Sequence, residues 1–169
     1  MLKWTEKGEC FGWGQNNLNQ VGILNSTNVG KPVPVQELSG KVVTSIYARD
    51  NLSAAITGGH IVELIWAEQG HVWTWGANEV GQCGQGTTST GAGPALVTGL
   101  SHLNCVRLRF GADFVVASTD VGHCYTWGTN RYGQVAVSPL APKYLVGRWF
   151  NYQFNLSTLC TSAAWYVHN

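Results

Sequence analysis

Apolar and polar residues along this chain fall into short alternating runs rather than helical stripes. In HVWTWG, residues 71–76, Trp73 and Trp75 project to one side and Val72 and Thr74 to the other, which is the two-residue period of a β-strand. Phe11 and Trp13 alternate in the same way with Cys10 and Gly12, and Tyr125 and Trp127 with Cys124 and Thr126. Neither side of these runs is reliably charged, so both are expected to be buried, as when a small sheet is sandwiched between two others. Further strands are predicted within residues 38–57 and 100–119, where Ile46 and Ala48 stand opposite Leu108 and Phe110. Glycine- and proline-rich turns separate the runs. The pattern predicts an all-β chain of short strands.

The runs recur. GECFGWGQNNLNQVG begins at Gly8, GHVWTWGANEVGQCG at Gly70 and GHCYTWGTNRYGQVA at Gly122, all with one internal spacing. Trp13, Trp75 and Trp127 are followed by Gly14, Gly76 and Gly128, then by Asn16, Asn78 and Asn130, then by Gln20, Gln82 and Gln134. Before the glutamine stand Asn19, Gly81 and Gly133, the residue types that most readily adopt a left-handed backbone, so a turn with positive φ is expected. Pro32 and Pro94 each lie 19 residues after their tryptophans, and the segments starting at Leu38 and Leu100 align without a gap over 20 residues. The spacing between tryptophans is 62 and then 52 residues, and the ten-residue excess falls in GGHIVELIWAEQ, residues 58–69. Residues 1–169 are thus expected to form one domain of units 8–69 with the insertion 58–69, 70–121, and a degenerate 122–169. Radial repetition of small sheets makes a β-propeller, with a stacked solenoid as the competing arrangement.

The pattern G-x-V-x-x-W-G-x-N-x-x-G-Q-x-G, followed by P-x-x-V and a hydrophobic strand, resembles the regulator of chromosome condensation repeat. The second unit matches it at Gly70, Val72, Trp75, Gly76, Asn78, Gly81, Gln82, Gly84, Pro94 and Val97. The resemblance implies blades of four-stranded antiparallel sheets, here a partial propeller of about three blades. In that family seven repeats close a ring. Its founding members catalyse nucleotide exchange on a small GTPase and bind chromatin, whereas most relatives use the propeller as a protein-interaction platform. Seven units would need more than twice this length, LKWTEKG reads as the end of a preceding unit, and Ala136 replaces the motif's last glycine in the third copy. A lone wedge exposes apolar blade faces and open sheet edges, so other protein chains, or further copies, are expected to complete it.

Composition removes several function classes. Charged residues are 11% of the chain and the net charge is +1, with ten Lys and Arg dispersed, so no nucleic-acid partner is expected. No apolar run reaches the length of a membrane span, and no membrane insertion is expected. Five widely spaced cysteines without a C-x-x-C favour buried thiols in an intracellular, reducing compartment, cytoplasmic or nuclear. Cys10 and Cys124 take the slot of Val72 and read as small hydrophobes.

Candidate chemistry is sparse. GQCGQGTTSTG, residues 81–91, imitates a phosphate loop but lacks the lysine ending and a following helix, and its counterparts in the other units lose the glycines. His71 and His123 occupy one position in two different units, so a shared metal is not expected. Asp113 and Asp120 read as strand-end turn residues, and the motif asparagines and glutamines as partners for turn backbone. No catalytic, cofactor or metal site is assigned, and the chain is not expected to be an enzyme. In the insertion, Ile61, Leu64, Ile65 and Trp66 are candidate partner contacts, because Trp and Ile at a loop tip are effective interface anchors, although a hairpin packing on its own blade has the same pattern. The expected function is a non-catalytic interaction scaffold or assembly subunit. The alternative is guanine-nucleotide exchange on a small GTPase, for which the nine scattered acidic residues provide no clustered loop.

Overall fold

The computed structural model describes residues 1–25, 27–58 and 70–135, together with the strand backbone of 144–153. Eleven strands form three antiparallel sheets among these residues. The first contains β1 (Leu2–Trp4), β2 (Cys10–Gly14) and β3 (Val29–Pro34) in that order. The second contains β4 (Val43–Arg49), β5 (Leu52–Thr57), β6 (His71–Gly76) and β7 (Ala95–Leu96). The third contains β8 (Cys105–Phe110), β9 (Phe114–Thr119), β10 (His123–Thr129) and β11 (Tyr144–Gln153). Each sheet is an up-and-down meander, and together they are three blades of a partial propeller.

Blades and sequence units are out of phase. Strands β4 and β5 come from the end of one unit and β6 and β7 from the start of the next, so each covalent unit ties two blades together. The β5–β6 hairpin pairs Leu52 with Gly76 and Thr57 with His71, so the inserted segment extends the link between these two strands. The corresponding links are tight turns in the other blades, where Gly8 N–H donates to Thr5 O and Gly122 N–H to Thr119 O.

The cores lie between blades, as the two apolar sides of each strand require. All six residues of β5 are buried. Ala55 and Trp75 join Cys10, Val35, Leu38 and Val43 in a cluster between the first two blades. Ala54, Ile56 and Val72, on the opposite face, join Leu108, Val115, Ala117 and Trp127 between the second and third. The strand alternation read from Trp73, Trp75, Val72 and Thr74 therefore separates two cores. Small residues at Ala54 and Ala55, both with no exposed surface, let neighbouring sheets approach closely.

Candidate interaction surfaces

The Trp-Gly-x-Asn…Gln motif builds one turn three times. Asn16 O, Asn78 O and Asn130 O accept the amides of Asn19, Gly81 and Gly133 at 3.0, 3.1 and 3.3 Å. Those three residues have φ of 54°, 77° and 74°, the left-handed conformation expected from the Asn/Gly exchange. The asparagine Oδ1 then accepts the amide five residues on, from Val21 at 3.1 Å, Cys83 at 2.9 Å and Val135 at 3.4 Å. The glutamine Oε1 accepts the amide two residues back, from Leu18, Val80 and Tyr132, at 2.9, 3.0 and 2.8 Å. These side chains replace the strand ladder where the backbone leaves it.

The turn also joins blades. Trp75 Nε1 donates to Gln20 O at 3.0 Å, and Trp127 Nε1 donates to Gln82 O at 2.8 Å. Each motif tryptophan thus locks onto the motif turn of the blade before it. Ser53 Oγ adds a second bond to Gln20 O at 2.7 Å, Gln20 Nε2 donates to Asn51 Oδ1 at 3.1 Å, and Asn19 Nδ2 donates to Gly91 O at 2.6 Å. Trp75 and Trp127 are fully buried, whereas Trp13 is half-buried on the outer flank of the first blade.

The other sequence candidates resolve into turns and strand starts. Within 81–91, Asn78 Nδ2 donates to Thr87 O and Ser89 O at 3.0 and 3.2 Å, and Gly91 N–H donates to Gly76 O at 3.1 Å, so the loop is strapped to its own blade. His71 begins β6 with Nε2 at 3.1 Å from Ser101 O, and His123 begins β10 in a different blade. Asp113 O accepts the amide of Thr129, and Asp120 Oδ2 accepts from Asn104 Nδ2 at 2.9 Å. Cys10, Cys83 and Cys105 are buried free thiols, and burial pushes their pKa from 9.0 to about 12, 12 and 11; Cys124 is half-buried and also raised by burial. Among the described residues no group of His, Cys, Asp and Glu converges as metal ligands, and no helix is long and apolar enough to cross a membrane.

Of the candidate partner contacts, Ile61, Leu64, Ile65 and Trp66 lie outside the described residues. The motif residues Trp13, Gly14, Asn16, Gln20, Trp75, Gly76, Asn78, Gln82, Trp127, Gly128, Asn130 and Gln134 are all turn or strand residues of the blades. A feature not anticipated from sequence is a groove of about 460 Å³ between β4 and β8, lined by Ile46, Tyr47, Ala48, Arg49, Leu108, Arg109 and Phe110. Arg49 Nη1 crosses it to donate to Phe110 O at 2.9 Å. The half-buried alternation of these strands was visible, but not that both are the first strands of adjacent blades.

Comparison with known proteins agrees with this architecture. The Regulator of chromosome condensation (RCC1) repeat matches at residues 7–56 and 69–118. The human E3 ubiquitin-protein ligase HERC2 is 32% identical over 124 residues, covering 73% of this chain and 2% of that protein. The Arabidopsis thaliana ultraviolet-B receptor UVR8 is 28% identical over 137 residues, 80% of this chain and 29% of the receptor. Human WBSCR16 superposes with a TM-score of 0.67 at 21% identity, over 88% of this chain and 35% of that one. Prp20p from Saccharomyces cerevisiae, studied for its binding to Gsp1p and histones, superposes with a TM-score of 0.67 at 20% identity, over 90% and 34%. The chain therefore spans about a third of the solved propellers it resembles. Two matched repeats, covering more than half of the sequence and folded into consecutive blades, show that this chain belongs to the regulator of chromosome condensation repeat family.

Proposed function

We propose that the chain is a non-catalytic assembly module, an arc of propeller blades whose surfaces hold other proteins. The observation that carries this reading is how the motif's polar groups are used: its asparagines, glutamines and indoles satisfy the backbone of turns and seams. A catalytic constellation needs polar groups converging on open space within hydrogen-bond reach of one another. The inserted segment between β5 and β6, with Ile61, Leu64, Ile65 and Trp66, is a partner contact in this proposal.

Nucleotide exchange is the second reading, favoured by the structural likeness to a protein studied with Gsp1p. Release of labelled GDP from a panel of small GTPases separates the two. The scaffold reading expects release at the intrinsic rate with the chain in excess. Stimulated release from any member of the panel would replace it with exchange activity.

A further inference from the structure

Two seams run through the molecule, and both have one construction. A tryptophan of the later blade donates its indole N–H to the glutamine carbonyl of the earlier blade's turn, at Trp75–Gln20 and Trp127–Gln82. The turn ends in a glycine that leaves room for that indole. A Cβ on Gly22 would lie 3.3 Å from Trp75 Nε1, and one on Gly84 would lie 2.6 Å from Trp127 Nε1. Both glycines have positive φ, 80° and 66°.

Trp13 holds the same position on β2, but the flank it faces is covered by no blade among the described residues. It is only half-buried, and its indole N–H meets no acceptor there. The two internal seams specify what fits such a flank: a turn of the form (Asn/Gly)-Gln-x-Gly presenting its glutamine carbonyl.

The chain's own third turn has most of this form. Gly133 has φ of 74°, and Gln134 Oε1 holds Tyr132 N–H at 2.8 Å, as in the other copies. Its sequence, however, ends in Ala136, which lies outside the described residues, where the other copies have Gly22 and Gly84. At the corresponding glycine of the second seam, a methyl would collide with a rigid indole.

The Trp13 flank carries a second obstacle. Lys3 pairs with Phe11 across β1 and β2, as Ala55 pairs with Trp73 and Ala117 with Tyr125. Lys3 therefore occupies the place of two alanines that have no exposed surface. A charge pointing from a sheet into a would-be seam opposes stacking by any blade that offers it no counter-charge.

We infer that the Trp13 flank is a docking face for the glycine-ended turn of a repeat unit carried by another protein, and that Lys3 and Ala136 bar a second copy of this chain from it. This rests on the scaffold reading and names the partner's chemistry. Without these two residues, head-to-tail stacking would extend without limit, because each copy would present both halves of a seam.

Native mass by light scattering, across a range of concentrations, tests the inference on the full chain. Wild type is expected at the mass of one chain, 18.3 kDa. The Lys3→Ala, Ala136→Gly double variant is expected to gain mass with concentration, at least twofold. Adding Trp13→Phe, which keeps a ring but removes the donor, is expected to return it to one chain. Circular dichroism of each variant establishes that the blades remain folded. Two results overturn the inference. One is a double variant that stays at the mass of one chain while folded. The other is a wild type that already associates and loses the association with Trp13→Phe, which makes a second copy the occupant. Neither depends on the GDP-release result, so failure here is distinguishable from failure of the scaffold reading.

Discussion

Gln20 shows how much of this architecture rests on one backbone group. Its side-chain oxygen closes its own turn, and its carbonyl accepts both Trp75 Nε1 and Ser53 Oγ from the next blade. The glycine two residues later sets how near the indole can come. At Gly84 the gap is smaller than at Gly22, where the nearest atom, Val35 Cγ1, lies 3.0 Å from an added Cβ and can shift. Gly84→Ala combines a left-handed non-glycine residue, about 1–2 kcal/mol, with overpacking against a buried ring, about 1–3 kcal/mol. Its expected cost is therefore on the order of 2–4 kcal/mol, and Gly22→Ala should cost less. Urea unfolding followed by tryptophan fluorescence measures both, and equal small losses would contradict a close approach at the second seam.

Strands and turns were largely legible in the sequence, and the reasons are local. The alternation of Val72 and Thr74 with Trp73 and Trp75 needs only the pleat to predict two buried faces, and the exchange of Asn19 for Gly81 needs only the φ preference to predict a left-handed turn. The glutamine carbonyl as indole acceptor left no trace, because every residue has a carbonyl and only packing selects one. Blade boundaries were hidden for a different reason. A repeat read as a period has a length but no phase, so units beginning at Gly8 and Gly70 could not reveal that Thr57 and His71 share a sheet while Ser39 and Val43 separate two. The same pairing gives the insertion its setting. It leaves the second blade at Thr57 and returns at His71, on the link that is a tight turn in the first and third blades. A partner contact there can be disrupted without touching either seam. Replacing Ile65 and Trp66 with serine should leave the urea midpoint within error of wild type and reduce co-purification of bound proteins several-fold. Retained partners on a folded variant would assign these residues to packing on their own blade instead.

On the scale of the whole molecule, weak charge and deep burial fall together. Charged residues are 11% of the sequence, the middle blade is covered on both faces, and three cysteines sit in the inter-blade clusters. Burial penalises the thiolate, so Cys10, Cys83 and Cys105 hold their protons to about pH 12, 12 and 11 when folded, against 9.0 otherwise. Linkage then fixes the sign. Below about pH 9 the thiols are protonated in both states and stability is unaffected. Above it the unfolded chain releases these protons while the folded chain retains them, so stability falls as pH rises toward 11 and 12. Each thiol contributes at most about 1.4 kcal/mol per pH unit across that window. Tyrosines and lysines titrate in the same region, so the comparison has to be with Cys10→Ala, Cys83→Ala, Cys105→Ala in one chain. The wild-type unfolding free energy is expected to drop more steeply than the triple variant's between pH 9 and 10.5. Parallel profiles would mean that water reaches these thiols, and hence that the seams between blades are looser than the buried tryptophans and their short bonds to the preceding turns require.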